Sequence, residues 1–299
     1  MKKTLLLLAA LATTINMASA QFNANSKWYG GSTIITCSSE SSKSFLFEYD
    51  DGRLFSLTRT SGNNFSVSDG YYHPKIKTAE YRIVEGNKVL LFKDAKGNIL
   101  QHFKQSNNQW KTEMEKGYHQ ILDGTYVDET GVKYTFDGNT LTIGSNKFSF
   151  SLDPGMYSLL HINDAAYWWE VSATGINLYN ALEGKISFEQ GNLWHKLREV
   201  TPNGRWTFLS NEIVEGDFMW SYPSGIIRII RNEIYARHGY VFNSADLKAY
   251  FSKQPWYKPL NNNAAVKLSA IETLNVEILK ANETAAREGT DDMTIDDGL

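Results

Sequence analysis

The sequence predicts an α+β multidomain protein in which an antiparallel, β-rich N-terminal region precedes a small helical domain. Up to about residue 200, short runs of β-branched, aliphatic and aromatic residues alternate with turn dipeptides. After residue 204 the spacing of apolar residues changes from the period of a strand to that of a helix. The chain has 299 residues, of which 42% are hydrophobic and 21% charged. These proportions are typical of folded globular domains.

Charge and motif content exclude several functional classes. The formal net charge is −3, whereas proteins that bind nucleic acids usually carry a basic surface. The six histidines form no close pair of ligands, and the sequence contains neither a G-x-G-x-x-G motif nor a phosphate-binding loop. We therefore expect no metal, no cofactor and no nucleic-acid partner.

Residues 1–20 predict a cleaved signal peptide. Two lysines precede an apolar run at residues 4–12, and the A-S-A sequence at residues 18–20 fits the small-residue cleavage rule. We expect an exported protein, located in the periplasm, in the medium or on the outer surface. The run is too short for a membrane anchor, which takes about 20 apolar residues. No later segment is long and apolar enough to span a bilayer, so we expect no membrane span in the mature chain.

Residues 21–200 predict antiparallel sheet built from hairpins. The strand-like runs are separated by turn sequences that tolerate positive φ, namely Asp51-Gly52, Gly86-Asn87, Gly97-Asn98, Asp137-Gly138-Asn139 and Gly191-Asn192. Helical periodicity is weak throughout this region.

A weak internal repeat divides the β-rich region. The two Gly-Asn pairs at 97–98 and 191–192 lie in similar surroundings, and Trp28-Tyr29 and Gly124-Thr125 mark where two copies would begin. We therefore expect two small modules, barrel-like or sandwich-like, at about 21–115 and 116–200, or else one larger β-domain. With this hairpin pattern the region loosely resembles lipocalin-like β-barrel domains.

Residues 205–283 predict a helical domain of three short helices. In the first, Ile227, Ile230 and Ile234 share one face, Ser224 is placed to cap its start and Gly239 follows its end. A second helix opens at Asn243-Ser244-Ala245-Asp246. Ser269-Ala270-Ile271-Glu272 matches the capping box and begins the third. Residues 284–299 are acidic and nearly without apolar residues, so we expect a disordered tail.

A dense polar and aromatic motif lies at the end of the first of these helices. It reads Tyr235-Ala236-Arg237-His238-Gly239, preceded by Arg231-Asn232-Glu233-Ile234 and followed by Tyr250-Phe251 and Trp256-Tyr257. On these residues the segment at 205–283 resembles the YARHG family, a bacterial extracytoplasmic domain. The resemblance implies an exported location, in agreement with the signal peptide, and it implies no reaction.

Two interpretations of this motif are open. In the first it is a recognition patch for an anionic or ring-bearing ligand, formed by Arg228, Arg231, Tyr235, Arg237, His238 and Trp256. In the second, Asn232, Glu233 and Arg237 form a buried polar network that fixes neighbouring elements. We favour the network, because a small domain often needs such contacts to set its geometry.

We expect a non-catalytic module that binds a glycan, a peptide or a protein of the bacterial envelope. One alternative is a cell-wall-modifying enzyme that uses Glu233 and His238 as acid and base, although no nucleophile lies near them. Another is a structural spacer without a small ligand. Aromatic clusters at Tyr167-Trp168-Trp169-Glu170 and Tyr71-Tyr72-His73 either stack on sugar rings or pack against loops. Trp168 and Trp169 point to opposite faces of a strand.

Overall fold

The structure is a computed structural model of the chain. It describes residues 22–31, 33–41, 43–68, 73–106, 110–153, 159–172, 174–183, 188–201, 203–215 and 222–289. The predicted signal peptide, Tyr71, Tyr72 and residues 290–299 lie outside the described residues. Two compact units are present, one ending at Trp110 and one beginning at Lys111.

The first unit contains a closed barrel of eight antiparallel strands in up-and-down order. Each strand pairs with the next along the chain, and the barrel closes where Trp28 of the first strand lies opposite Gln105 of the last. Closure pairs the two strands that would otherwise be edges. The strands are β1 (Lys27–Gly30), β2 (Thr33–Glu40), β3 (Ser44–Tyr49), β4 (Leu54–Ser61), β5 (Asn64–Val67), β6 (Ile76–Val84), β7 (Asn87–Asp94) and β8 (Ile99–Gln105).

Aromatic side chains fill the interior of this barrel. Phe22, which precedes β1, is fully buried, and the centroid of its ring lies between 4.8 and 5.5 Å from those of Trp28, Phe45, Phe47, Phe65 and Tyr81. An eight-stranded barrel is just wide enough either for such packing or for one small ligand. This barrel is therefore up-and-down in strand order, and buried side chains fill its interior.

The second unit contains another closed barrel of eight antiparallel strands. It closes between its first and last strands, where Val127 lies opposite Arg198. The strands are β9 (Gly124–Val127), β10 (Lys133–Asp137), β11 (Thr140–Ile143), β12 (Asn146–Leu152), β13 (Leu159–Ile162), β14 (Ala165–Val171), β15 (Gly175–Glu183) and β16 (Phe188–Glu199). The predicted fold class is confirmed, with two barrels as the β modules, and the predicted starts of the two copies fall in β1 and β9.

Four of the five predicted turn sequences lie at the turns that join consecutive strands, and Gly52, Gly86, Gly97 and Gly138 there have positive φ. The fifth prediction is wrong, because Gly191-Asn192 lies inside β16, beside a shift of register between β15 and β16. A Cβ on Gly191 would come within 2.7 Å of the carbonyl oxygen of Asn180. Glycine therefore serves here for the close approach of two strands.

A helix that the sequence analysis did not predict joins the two barrels along the chain. This helix, α1, spans Trp110–Leu122 and includes the boundary predicted at 115/116. Gly117 and the many polar residues weakened its helical signal. Its last turn supports the second barrel, since the hydroxyl of Tyr126 donates to the carbonyl oxygens of Ile121 and Leu122 at 3.2 and 3.0 Å.

Three further helices form the C-terminal region. They are α2 (Ser224–Arg237), α3 (Ala245–Ser252) and α4 (Ala270–Gly289), with short 3-10 turns at Thr207–Ser210 and Asn263–Ala265. The predicted cap of α2 is wrong by one residue, because the helix begins at Ser224 and Pro223 stands before it. Gly239 ends this helix as predicted, with a φ of 76°.

The third predicted helix has the expected start and a later end. Ser269 and Glu272 exchange the two hydrogen bonds of a capping box, at 2.9 and 3.1 Å. The helix continues to Gly289, so residues 284–289 are helical rather than part of a tail. An ion pair between Glu283 and Arg287, four residues apart, supports this last stretch.

The core of the helical region consists of the predicted apolar faces. Ile227, Ile230 and Ile234 of α2 are fully buried, and Ile271, Leu274 and Ile278 of α4 are nearly so. None of the helices that the structure describes is long and apolar enough to cross a membrane.

Arg205 joins the helical region to the second barrel. Its guanidinium donates to the carbonyl oxygens of Ser172 and Gly175, in the turn between β14 and β15. It also forms an ion pair with Glu199 at the end of β16, and both side chains are more than 90% buried. From α1, Lys116 binds Glu212 at 2.9 Å. These contacts explain why the second barrel and the helices belong to one unit.

We predict that a fragment of residues 111–289 melts at a higher temperature than a fragment of residues 205–289. Excision at residue 205 exposes the Arg205 guanidinium and removes all of its barrel partners, and a domain of this size has little stability to spare. Circular dichroism melting of both fragments measures the difference. Equal melting temperatures would show that the helical region folds alone, as the sequence pattern predicts for 205–283.

Candidate functional site

The centre of the motif is a buried ion pair on one helical face. Glu233 and Arg237 are four residues apart on α2, and an Nη atom of Arg237 lies 3.0 Å from Oε1 of Glu233. The Glu233 side chain is 2% exposed and that of Arg237 is 12% exposed. The sequence predicts this contact, because a helix brings residues i and i+4 together with the acid before the base.

This ion pair also holds the chain segment that leads out of the second barrel. The backbone N–H of Trp206 donates to Oε1 of Glu233 at 2.7 Å, and Arg237 donates to the carbonyl oxygen of Trp206 at 3.1 Å. A Cβ on Gly204 would lie 2.8 Å from the Glu233 carboxylate, at a φ of +106°. Only glycine therefore allows the segment to pass so close to the pair.

A second carboxylate extends the network to α4. Arg237 donates to the hydroxyl of Ser210 at 2.9 Å, and that hydroxyl donates to Oε1 of Glu272 at 2.6 Å. His238 binds the same carboxylate through Nε2 at 2.8 Å. Because Glu272 also accepts the capping hydrogen bond from the N–H of Ser269, one side chain joins the end of α2 to the start of α4.

Burial sets the proton affinities inside this network. Burial raises the pKa of Glu233 against the opposing effect of the Arg237 charge, and burial lowers the pKa of Arg237. Burial also acts to raise the pKa of Glu272. Hydrogen bonds from Ser210, Ser269 and His238 outweigh this effect, so the pKa of Glu272 is lowered. Both carboxyl groups thus depend on partners that lie on other elements.

A further buried acid lies at the junction with the second barrel. Burial raises the pKa of Glu199 to about 7, with the Arg205 charge opposing this shift and the Glu233 charge adding to it. The same surroundings act on Tyr250, whose pKa is raised by burial and then by the charge of Glu233. The ion pairs of Glu199 with Arg205 and of Glu233 with Arg237 therefore interact electrostatically.

The other cations predicted for a recognition patch bind acids of the same domain. Arg228 forms an ion pair with Asp246, the second residue of α3, and donates to Ser244 at 2.8 Å. Hydrogen bonds from Arg228 and Ser244 lower the pKa of Asp246. Arg231 binds Glu283 of α4 at 2.7 Å. These two contacts join α2 to each of the helices that follow it.

The remaining predicted residues occupy separate places. The amide of Asn232 donates to the carbonyl oxygen of Arg228 at 2.7 Å, within the same helix. The ring of Tyr235 lies 5.5 Å from that of Tyr240. Trp256 packs edge-on at 6.1 Å against Phe251. Arg237, Glu233 and His238 are thus brought into one network, and Trp256 lies in an aromatic cluster instead.

Several residues of the network were missed because their partners are distant in sequence. Trp206 and Ser210 contact residues 27 positions away, and Glu283 lies 52 positions from its partner Arg231. No local pattern predicts such contacts. Glu272 did have a signal, the capping box, but that motif accounts for only one of the hydrogen bonds to its carboxylate.

The arrangement is suited to holding backbone segments in place. Glu233 and Arg237 form hydrogen bonds with Trp206, with Ser210 and with each other. The carboxylate of Glu272 binds the ring of His238. Within the described residues no group of three or more His, Cys, Asp or Glu side chains is placed to hold a metal ion. Ligand binding by the six residues named for the patch stays a prediction.

Comparison with known proteins identifies one domain. Residues 220–284 match the family described as the YARHG domain, as the motif predicts. The match begins after the segment that carries Arg205, Trp206 and Ser210. No curated protein and no solved structure matches the chain.

We predict that Arg237→Ala lowers the free energy of unfolding by about 3–5 kcal/mol, because it leaves the buried Glu233 carboxylate without its counter-charge. Glu233→Ala should have an effect of similar size, and the double variant should be no less stable than the worse single variant. Urea unfolding of the three proteins measures this.

The matched control is Arg287→Ala, which removes the exposed member of another pair at i and i+4. The Arg287 side chain is 67% exposed, so its loss should cost under about 1 kcal/mol. A stable Arg237→Ala variant that unfolds like the wild type would refute a structural role for the pair.

We predict that Glu199 makes stability depend on pH around neutrality. Its pKa is raised from 4.5 to about 7 in the folded state, so its contribution to stability is largest below pH 4.5 and falls as the pH rises through 7. Relative to Glu199→Gln, the wild type should lose up to about 3 kcal/mol between pH 4.5 and pH 8.

Thermal or urea unfolding of both proteins across this range provides the measurement. Glu129→Gln, which alters an exposed acid of the same barrel, should follow the wild-type profile. A wild type that gains stability over the Gln variant as the pH rises would show that Arg205 outweighs burial and that the sign is reversed.

Proposed function

We propose that this chain, with its YARHG domain at residues 220–284, is a non-catalytic binding module of an exported bacterial envelope protein. The observation that carries the proposal is that the motif residues Glu233, Arg237 and His238 bind other groups of this chain. Export is supported by the signal-peptide pattern at residues 1–20.

The geometry of the motif argues against acid–base catalysis. A general base must reach a proton of the substrate directly or through one water. Glu233 is almost fully buried, and its Oε1 already accepts from Trp206 and Arg237. His238 is held by the carboxylate of Glu272. A substrate would have to break this network before either side chain could act on it.

A rigid, non-catalytic YARHG domain is useful as support for a binding surface. Through Arg205 it is tied to the turn between β14 and β15 and to the end of β16. Those strands therefore have a fixed neighbour at one end. We infer that the YARHG domain stabilises the second barrel and that the barrel offers the surface that meets a glycan, a peptide or a protein of the envelope.

Sedimentation of the purified mature chain with isolated cell envelopes tests the proposal. We expect the protein to pellet with the envelopes while the supernatant gains no fragments of glycan or peptide. A protein of similar size and charge provides the control for trapping. Failure to pellet would overturn the proposal. Release of fragments that stops in Glu233→Gln would establish the enzyme instead.

A further inference from the structure

The outer face of two neighbouring strands in the second barrel carries a compact set of polar and aromatic side chains. In β14 and β15, Trp168 lies opposite Tyr179 and Glu170 lies opposite Asn177. The intervening Trp169 is buried in the barrel. Since successive side chains of a strand point to opposite faces, the four residues of the two pairs face outward together.

Hydrogen bonds within this set fix how it presents its polar atoms. The amide nitrogen of Asn177 donates to Oε1 of Glu170 at 3.1 Å, and the hydroxyl of Tyr179 donates to the same oxygen. Binding of the amide nitrogen by Glu170 determines the orientation of the Asn177 side chain. Its carbonyl oxygen Oδ1 is therefore directed away from Glu170.

One donor and one acceptor on this face have no partner. The indole Nε1 of Trp168 and Oδ1 of Asn177 are both buried, and neither has a hydrogen bond within the described residues. Residues in this diagonal relation on paired strands lie within reach of long and aromatic side chains. Buried polar atoms without partners are uncommon and require an explanation, and a bound hydroxyl group or water supplies one.

The unpartnered donor of Trp168 and acceptor of Asn177 determine which chemical group could bind both atoms. Trp168 offers only a hydrogen to donate, and Oδ1 of Asn177 offers only lone pairs to accept one. A hydroxyl group satisfies both, because it accepts from one atom and donates to the other. A phosphate or carboxylate would leave Asn177 unsatisfied, and an ammonium group would leave Trp168 unsatisfied.

Exposed neighbours extend the face beyond this one hydroxyl. Leu193 of β16 lies opposite Tyr179 and is 51% exposed, which adds apolar surface beside the Tyr179 ring. Glu170 is exposed and supplies a carboxylate acceptor. Lys196 of β16 lies opposite Asn177 and adds an exposed donor. Apolar and aromatic contacts together with a few convergent polar groups are typical of ligand sites.

We propose that this face, formed by Trp168, Glu170, Asn177 and Tyr179, is a glycan-binding site that takes one sugar hydroxyl between Trp168 and Asn177. Glu170 accepts from a second hydroxyl, and the apolar face of the sugar ring packs beside Tyr179 and Leu193. The inference rests on the proposed function and deepens it, because it names a glycan as the envelope component and assigns its position on the second barrel.

Isothermal titration calorimetry of the mature full-length protein tests the site. The probes are cellotetraose, maltotetraose and the tetramer of N-acetylglucosamine, each titrated separately. We expect at least one of them to bind. Trp168→Phe, which keeps a ring but lacks the N–H, and Asn177→Ala should each weaken that binding about tenfold. Asn146→Ala, at an exposed strand position of the same barrel, should bind like the wild type.

Two outcomes would overturn the site. One is that none of the three saccharides binds; if both variants then also melt lower than the wild type, a structural water lies between the two atoms. The other is that a saccharide binds equally to the wild type and to folded Trp168→Phe and Asn177→Ala proteins. Circular dichroism of each variant establishes that it is folded.

The two proposals fail separately. If the wild type pellets with envelopes but Trp168→Phe and Asn177→Ala pellet equally well, the binding function stands and this site is wrong. If a saccharide binds through this face but the protein does not pellet with envelopes, the site stands and the envelope function is wrong.

Discussion

The buried ion pair of Glu233 and Arg237 is the interaction on which the C-terminal region depends. A pair so far from solvent is stable only when other hydrogen bonds complete it. Here those bonds come from the backbone of Trp206 and from Ser210. The pair therefore fixes where the chain enters the domain, and through Ser210 and Glu272 it fixes where α4 begins. Several polar residues of the motif hold other segments: Glu233 and Arg237 hold Trp206, and Arg231 and His238 hold α4.

The ion pair of Glu233 and Arg237 also affects the second barrel. Arg205 directly precedes Trp206, so the ion pair that holds Trp206 also holds the guanidinium against Ser172, Gly175 and Glu199. Two buried acids, Glu199 and Glu233, then lie near enough for the charge of one to raise the pKa of the other. These buried charges lie at the junction between the second barrel and the helices, where the ion pairs of Glu199 with Arg205 and of Glu233 with Arg237 hold chain segments together.

Much of the fold could be predicted, and less of the site. Turn sequences such as Asp51-Gly52 mark hairpins because glycine permits positive φ, and Gly191-Asn192 misled because glycine also permits two strands to approach closely. The contact of Glu233 with Arg237 follows from helical geometry alone. The partners of Arg231 and His238 do not, since Glu283 and Glu272 lie on another helix and are 52 and 34 positions away. A recognition patch would present these cations together to a ligand, whereas each binds its own acid.

The sequence by itself determined the local features: the alternation that makes strands, the turns between them, the apolar faces of α2 and α4, the capping box at Ser269 and the YARHG motif. These depend on neighbours within about four residues, which the chain order specifies. Only the tertiary structure decided that the β-rich region closes into two barrels, that Arg205 joins the second barrel to the helices, and that Trp168 and Asn177 share one outer face. Such relations depend on which distant segments pack together, because burial and strand register bring side chains together regardless of their separation along the chain.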